Sequence, residues 1–239
     1  MPEIDMDKIL YLTDFEVSYI DHAGSDQRIC EAARVSTLGL DALDTKESSG
    51  LINFLMRGRH GSPFEHGLMS FRITAPIFLW REFMRHRIGF SYNEQSGRYM
   101  ELEPSFYVPP AHRPLIQTGK AGEYNFTAGT TEQHDICVDA IMGSCDLAWH
   151  NYQHMLNHGI AKEVARMVLP VTTYSTAYVT CNPRSMMSFL ALRTKHAESA
   201  FPSYPQWEIN QVADVMEIVF KELYPLTHAA FVASGRVAP

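Results

Sequence analysis

The chain has 239 residues, 46% hydrophobic and 20% charged, which provides a core for one large domain and excludes a disordered chain. A formal net charge of −7 disfavours bulk attraction to nucleic acid or to an anionic membrane. No apolar run approaches the roughly 20 residues that span a bilayer, and the start, MPEIDMDKIL, has acids where a signal peptide is basic, so a cytoplasmic protein is expected.

Residues 1–11 carry no strong pattern. Residues 17–20 read as a strand ending at residues 21–24. Ser25 or Asp26 can cap a helix over residues 28–35, with Ile29, Ala32 and Ala33 on its apolar side and Ser36 and Thr37 leading out. A loop with Gly39 follows, then a helix over residues 46–57 with Leu51, Phe54, Leu55 and Met56 at helical spacing and Gly58 as its stop. Ser62 and Pro63 suit a cap and first helical position of a short turn, and residues 68–73 form a strand. Thr74 and Pro76 then open a predicted helix over residues 76–87, whose C-terminal end carries Arg85, His86 and Arg87.

Beyond Tyr99 the chain is proline-rich, with a short strand at residues 106–108 and a surface loop at residues 119–131. The longest predicted helix covers residues 132–157, with Cys137, Ile141, Cys145, Ala148, Tyr152 and Met155 on one face, and His158-Gly159 ends it. A short helix over residues 160–168 closes at Pro170, a strand covers residues 172–181, and Asn182-Pro183 caps a helix reaching Arg193. Residues 196–205 form a loop, and a last amphipathic helix covers residues 206–223. Long helices with a few strands predict one α+β domain, residues 1–239, with a mixed, largely antiparallel sheet flanked by the helices. The four cysteines form no CxxC pair and read as buried thiols of a reducing compartment.

Chemistry concentrates in residues 85–99, RHRIGFSYNEQSGRY. Arg81, Arg85, Arg87 and Arg98 fall within eighteen residues, a locally basic site on an acidic chain, which suits a small anionic ligand. Ser96-Gly97-Arg98 offers a hydroxyl, an approachable backbone and a guanidinium fork, as a phosphate requires, although an ordinary polar turn has the same composition. Arg85-His86-Arg87 fits a flavin or nucleotide phosphate, a nucleic-acid patch, or simple complementation of a helix end. His60, Glu65 and His66 do not have the His-x3-His spacing of a helical ligand pair, so no metal is expected there and hydrogen bonding or stacking is the expected role. Arg166 lies in an apolar segment, and Arg193 returns to nearly the face of Asn182 eleven residues earlier. No P-loop, dinucleotide glycine motif or nucleophilic-serine motif is present, and no cysteine lies in a basic setting. The residues alone leave three readings open: a flavoenzyme, a nucleotide- or RNA-binding module without catalysis, and a metal-dependent nucleotide hydrolase.

RHRIGFSYNEQSGRY, with EAARVS, HGSPFEH, APIF, EVARMVLP, NPRSMMSFLALR and QWEI in order, resembles the flavin-dependent thymidylate synthases over residues 28–223. The resemblance implies an α+β homotetramer with active sites shared between chains. It implies reductive methylation of dUMP to dTMP, with methylenetetrahydrofolate as carbon donor, FAD as hydride carrier and NADPH as its reductant. It assigns Ser62, Arg85, His86, Arg87, Glu94, Asn182, Arg184 and Ser188 to FAD. It assigns Glu82, Arg85, Gln95, Ser96, Gly97, Arg98, Arg166 and Arg193 to the nucleotide, with Arg166 arriving from another subunit, Arg193 at the uracil ring and His60 near flavin and folate. Two positions depart from the pattern. Glu82 stands where the family often has Gln, and pairing with Arg85 or the ribose would accommodate it; Ser188 stands where a flavin-contacting Asn is frequent.

Overall fold

The structure, a computed structural model, describes residues 8–120 and 123–239. The acidic start read at residues 1–7 and two positions of the expected surface loop lie outside the described residues. In chain order the elements are β1 (Leu10–Leu12), β2 (Glu16–Ala23), α1 (Asp26–Leu38), α2 (Ser49–Arg57), β3 (Leu68–Pro76), α3 (Ile77–Phe83), β4 (Phe90–Glu94), β5 (Ser105–Tyr107), β6 (Ile116–Lys120), β7 (Glu123–Thr127), α4 (Thr131–Asn157), α5 (Lys162–Ala165), β8 (Tyr174–Cys181), α6 (Pro183–Arg193), α7 (Trp207–Leu223) and α8 (Pro225–Ala233). Short 3-10 turns fill Gly39–Asp44, Ser62–Glu65 and Arg166–Val168. Four strands form a sheet in the order β2-β3-β8-β4, while β1 pairs with β5 in parallel and β6 with β7 antiparallel. This is a mixture of helix and sheet with antiparallel pairing, as the sequence predicts.

The chain divides into two compact units. Among the described residues, one comprises those up to Glu16, Thr74–Arg81 and those between Glu94 and Ala177. Its core gathers Phe106, Cys145, Trp149, Tyr152 and Ala165 around α4. Helix α4 starts on a capping box, in which Thr130 Oγ1 accepts from Gln133 N at 3.2 Å and Gln133 Oε1 accepts from Thr130 N at 2.9 Å. The predicted stripe on α4 is the inward face: Cys145 and Tyr152 are buried, and Cys137, Ile141, Ala148 and Met155 are half-buried. Tyr152 pairs its hydroxyl with Leu102 N at 3.1 Å, so its burial leaves no unsatisfied oxygen.

The other unit comprises Val17–Ile73, Glu82–Asn93 and Tyr178–Pro239. Its interior includes Ile29, Ile52, Phe71, Met186, Phe189, Leu190, Phe220 and Phe231, all fully buried. Each such side chain contributes about 1.5–3 kcal/mol relative to exposure. Asp26 is buried too, and it does not cap its own helix. Its carboxylate accepts from Leu226 N (2.7 Å), Thr227 N (3.0 Å) and Thr227 Oγ1 (2.6 Å), filling the donors at the start of α8.

Several predicted boundaries move. Ser36 and Thr37 stay inside α1, and α2 starts at Ser49 because Ser48 Oγ accepts from Leu51 N at 3.3 Å. Gly58 has φ −80°, whereas Arg59, at φ 56°, takes the left-handed turn beyond α2. Ser62 lies within its 3-10 turn and makes no cap bond. Pro76 remains in β3, and α3 ends at Phe83 rather than at residue 87. Strand β4, the β6–β7 hairpin and α8 are additions to the predicted elements. No helix among the described residues is long and apolar enough to cross a membrane.

Candidate active site

After Phe83 the chain leaves α3 in a turn that Tyr92 pins, its hydroxyl donating to Phe83 O (3.0 Å) and His86 O (2.8 Å). The next turn, at Ile88-Gly89, closes on the start of α6. Ser185 Oγ donates to Ile88 O at 2.8 Å, while Asn182 Oδ1 caps the helix by accepting from Ser185 N at 2.8 Å. Gly89 has φ 66°, and a Cβ there would lie 2.1 Å from Ser185 Oγ. Only glycine gives both that conformation and that approach. Two turns thus present Arg85 and Arg87 as exposed guanidiniums with no ion pair among the described residues. They share a cavity of about 540 Å³ with Ile88, Arg184, Ser185 and Ser188.

His86 lines the same cavity and also reaches the end of α6. Its ring stands edge-on to Phe189, centroids 5.0 Å apart, and its Nε2 accepts from Arg193 Nε at 2.9 Å. Burial, and then the Arg193 charge, lower its pKa from the ordinary 6.5 to about 4. His86 is therefore neutral at pH 7 and holds Arg193 as an acceptor, in contrast to a cationic reading of Arg85-His86-Arg87. Arg193 is held from a second side by Glu82, with Nη1 to Oε2 at 2.5 Å. Glu82 takes Arg193 as partner, not Arg85, and its half-buried carboxylate offsets the charge at the end of α6.

The second predicted grip folds within the other unit. Gln95 N donates to Thr176 O at 2.8 Å, Ser96 Oγ accepts from Arg98 N at 3.3 Å, and Gly97 is buried. Arg166 packs its stem against that glycine: a Cβ on Gly97 would meet Arg166 Cδ at 3.2 Å. The structure thus sets Arg166 beside Gly97 of its own chain, where the resemblance brings it from another subunit. Arg98 pairs with Glu163, Nε to Oε1 at 3.2 Å, and lies 5.5 Å from the Tyr99 ring centroid. Glu94, next to Gln95, is half-buried.

The remaining predicted residues divide. Arg184 reaches the cavity but is committed, with Nη1 on Glu65 Oε1 (2.6 Å) and Nε on Pro239 O (2.8 Å). Ser188 Oγ donates to Arg184 O at 3.2 Å, an intrahelical bond on an exposed face. His60 stacks on Phe54 at 5.6 Å, and Ser62 is exposed; neither lines the cavity. Glu65 binds Arg184 in an ion pair. Sequence reasoning passed over Ile88, 89% exposed on the cavity, and over Ser185, Phe189 and Glu163. An apolar side chain left in solvent within a basic motif is the signal that marks Ile88.

The geometry, two arginines without an ion pair among the described residues on a cavity that His86 also lines, suits an anionic ligand. Known proteins resemble this chain over nearly its whole length. A flavin-dependent thymidylate synthase of Streptomyces coelicolor is 53% identical over 98% of both chains. Another of that name, from Tropheryma whipplei, is 52% identical over 96% of this chain and 97% of its own. The solved UMP/dUMP methylase PolB from Streptomyces cacaoi is similar in fold. Its 5-Br dUMP complex superposes with a TM-score of 0.91 at 48% identity, covering 97% of this chain and 100% of that one. Its 5-Br UMP complex has a TM-score of 0.89 over 97% and 99%. The Thy1 family, described as thymidylate synthase complementing protein, matches residues 18–226, and this chain belongs to it.

Proposed function

We propose that this chain is a flavin-dependent thymidylate synthase, a single catalytic domain over residues 1–239 acting in the cytoplasm as a homotetramer. It converts dUMP to dTMP with methylenetetrahydrofolate as carbon donor, FAD as hydride carrier and NADPH as reductant. The observation that carries this reading is the 53% identity to a curated relative of that name over 98% of both chains.

The residues fit the cofactor. Arg85 and Arg87, exposed on the cavity and without an ion pair among the described residues, suit a pyrophosphate, and exposed Ile88 offers an apolar contact to a ring. Ser62, His86, Glu94, Asn182, Arg184 and Ser188 complete the proposed FAD set. When bound, FAD supplies the hydride that turns the transferred carbon into a methyl group. Gln95, Ser96, Gly97, Arg98 and Arg166 take the dUMP phosphate, and Ser96 acts there as a ligand rather than a nucleophile, since no base adjoins it.

Uracil C5 becomes nucleophilic only when charge on the ring is stabilised. Cys30, Cys145 and Cys181 are buried and their thiols are pushed up by that burial, so thiolate addition at C6 is not open to them. Arg193 supplies the alternative. Its guanidinium, oriented by His86 and balanced by Glu82, meets the developing negative charge, a preorganised interaction of about 3–4 kcal/mol. His60 lies near flavin and folate in this reading. Exposed Ile160, Val164, Met167 and Val168, around Arg166, supply apolar surface suited to contacts between copies.

The test is spectroscopic and chemical. The purified chain should be yellow, bleach with NADPH and change its flavin spectrum with dUMP. It should release tetrahydrofolate, because the hydride comes from NADPH and the folate is not oxidised. A colourless chain that cannot take up added FAD overturns the reading. A second substrate, UMP, is favoured by one observation, the 48%-identical methylase solved with 5-Br UMP; the ratio of UMP to dUMP turnover decides it.

A further inference from the structure

Three histidines stand four residues apart at the end of α4: His150, His154 and His158. All three are exposed, and none has a part in the proposed catalysis. Residues four apart share one face of a helix. The rings of His154 and His158 are 4.3 Å apart, centroid to centroid, whereas those of His150 and His154 are 6.3 Å apart. Two imidazoles sharing one ion at metal–nitrogen lengths of about 2.0–2.1 Å stand with ring centres about 5 Å apart, a separation that the closer pair approaches. His158 is already oriented. Its Nδ1 lies 2.8 Å from His154 O, and a carbonyl can only accept, so Nδ1 carries the proton and Nε2 presents a lone pair outward. A backbone carbonyl on the second ring nitrogen is the usual support of a metal-bound histidine. The site also lies at the C-terminal end of a 27-residue helix, where the aligned peptide dipoles favour positive charge.

We propose that His154 and His158 form a two-histidine chelate for a divalent transition ion of the zinc, nickel or copper class, with water in the remaining positions. Imidazole selects these ions over magnesium and calcium, which take oxygen ligands. His150 does not belong to the same chelate, because eight residues of helix separate it from His158 by about 12 Å. The site is independent of the catalytic reading.

Calorimetric titration of the full chain, prepared without a histidine tag, tests it with zinc chloride and with magnesium chloride as control. Zinc should saturate one site at sub-millimolar concentration and magnesium none. His154→Gln and His158→Gln should each weaken zinc binding about tenfold or more, and His150→Gln should leave it within about twofold. Absence of zinc binding, equal affinity in all three variants, or loss confined to His150→Gln would overturn the proposal. Should a variant fail to fold, zinc-induced shifts of the histidine ring protons in the unaltered chain decide. Shifts of His154 and His158 support the chelate, and their absence overturns it.

Discussion

Two clusters in the same unit use the same three residue types and do opposite things with them. In one, Glu217 accepts from Arg236 through both oxygens, Nη1 to Oε1 at 2.7 Å and Nη2 to Oε2 at 2.6 Å, and from His228 Nε2 at 2.8 Å. Arg236 further donates to Thr194 Oγ1 at 2.9 Å, next to the end of α6. The side chains of Arg236 and Glu217 are only 3% and 12% exposed. In the other, Arg193 touches Glu82 with one nitrogen and His86 with another, its Nη2 has no partner among the described residues, and exposures are 19% and 41%. His228 donates to its carboxylate; His86 accepts from its arginine. In the closed cluster both carboxylate oxygens and both terminal guanidinium nitrogens are matched, and the Arg236 Nε that lacks a partner among the described residues is buried, so the cluster fixes structure. The open one keeps a guanidinium oriented with a donor to spare, which is what a substrate requires.

The largest expected effect tests that contrast directly. Glu217→Ala leaves Arg236 buried and uncompensated and should cost about 3–5 kcal/mol in urea unfolding. Glu82→Gln, in a half-exposed setting, should cost no more than about 1 kcal/mol. Equal losses would mean that the two clusters are alike. Acid provides a second probe. Burial alone would raise the Glu217 carboxyl, but the bonds from His228 and Arg236 outweigh it and hold it at about 2, below the ordinary 4.5. Its contribution is present above pH 4.5 and lost as pH falls from there toward 2. His86, lowered from 6.5 to about 4, loses stability for the fold between those values, because the unfolded chain takes up the proton first. Neither loss should occur between pH 7 and 8.

The open cluster should respond in turnover. His86→Phe keeps the contact with Phe189 but removes the acceptor that orients Arg193. We expect kcat to fall about tenfold to a hundredfold with FAD retained, and His86→Gln, which restores an acceptor, to recover part of it. Loss of FAD without a kcat effect in flavin-saturated enzyme would leave His86 a cofactor ligand only. In proton NMR the His86 ring should remain neutral down to about pH 4.

How much of this was legible depended on whether the cause was local. The caps of α4 and α6 lie within three residues of what they hold, and both helices fall where the sequence predicts them. Helix α8 opens on Pro225, but its cap is Asp26, 201 positions from Thr227, so no residue next to it carries the cap. Helix α3 stops at Phe83 where Tyr92 and His86 take up the Phe83 carbonyl, and a local helical pattern carries no trace of that bond. The β6–β7 hairpin is almost wholly exposed and paired through its backbone, so it lacks an apolar alternation to read. Strand β4 did alternate, with Phe90, Tyr92 and Glu94 half-buried and Ser91 and Asn93 exposed, but its polar residues read as binding groups. The site was legible as composition: the arginines of residues 85–98 are there. Their pairing was not, since the partners of Arg193 lie 107 and 111 positions away and that of Arg98 65.

The smallest expected effect concerns that last pair. Arg98 and Glu163 are about half exposed, so their attraction is screened and each side chain gives up rotamer freedom to hold it. Glu163→Gln should change stability by less than about 1 kcal/mol. It should still alter binding, because the carboxylate competes with a phosphate for the same guanidinium. We expect the dUMP dissociation constant to fall by up to about fivefold at low salt and the gain to shrink at high salt, where both attractions are screened. A rise in that constant would mean that Glu163 orients Arg98 for the nucleotide instead of competing for it. The comparison would then change as well: Arg98, like Arg193, would be a guanidinium that works because a carboxylate holds it from behind.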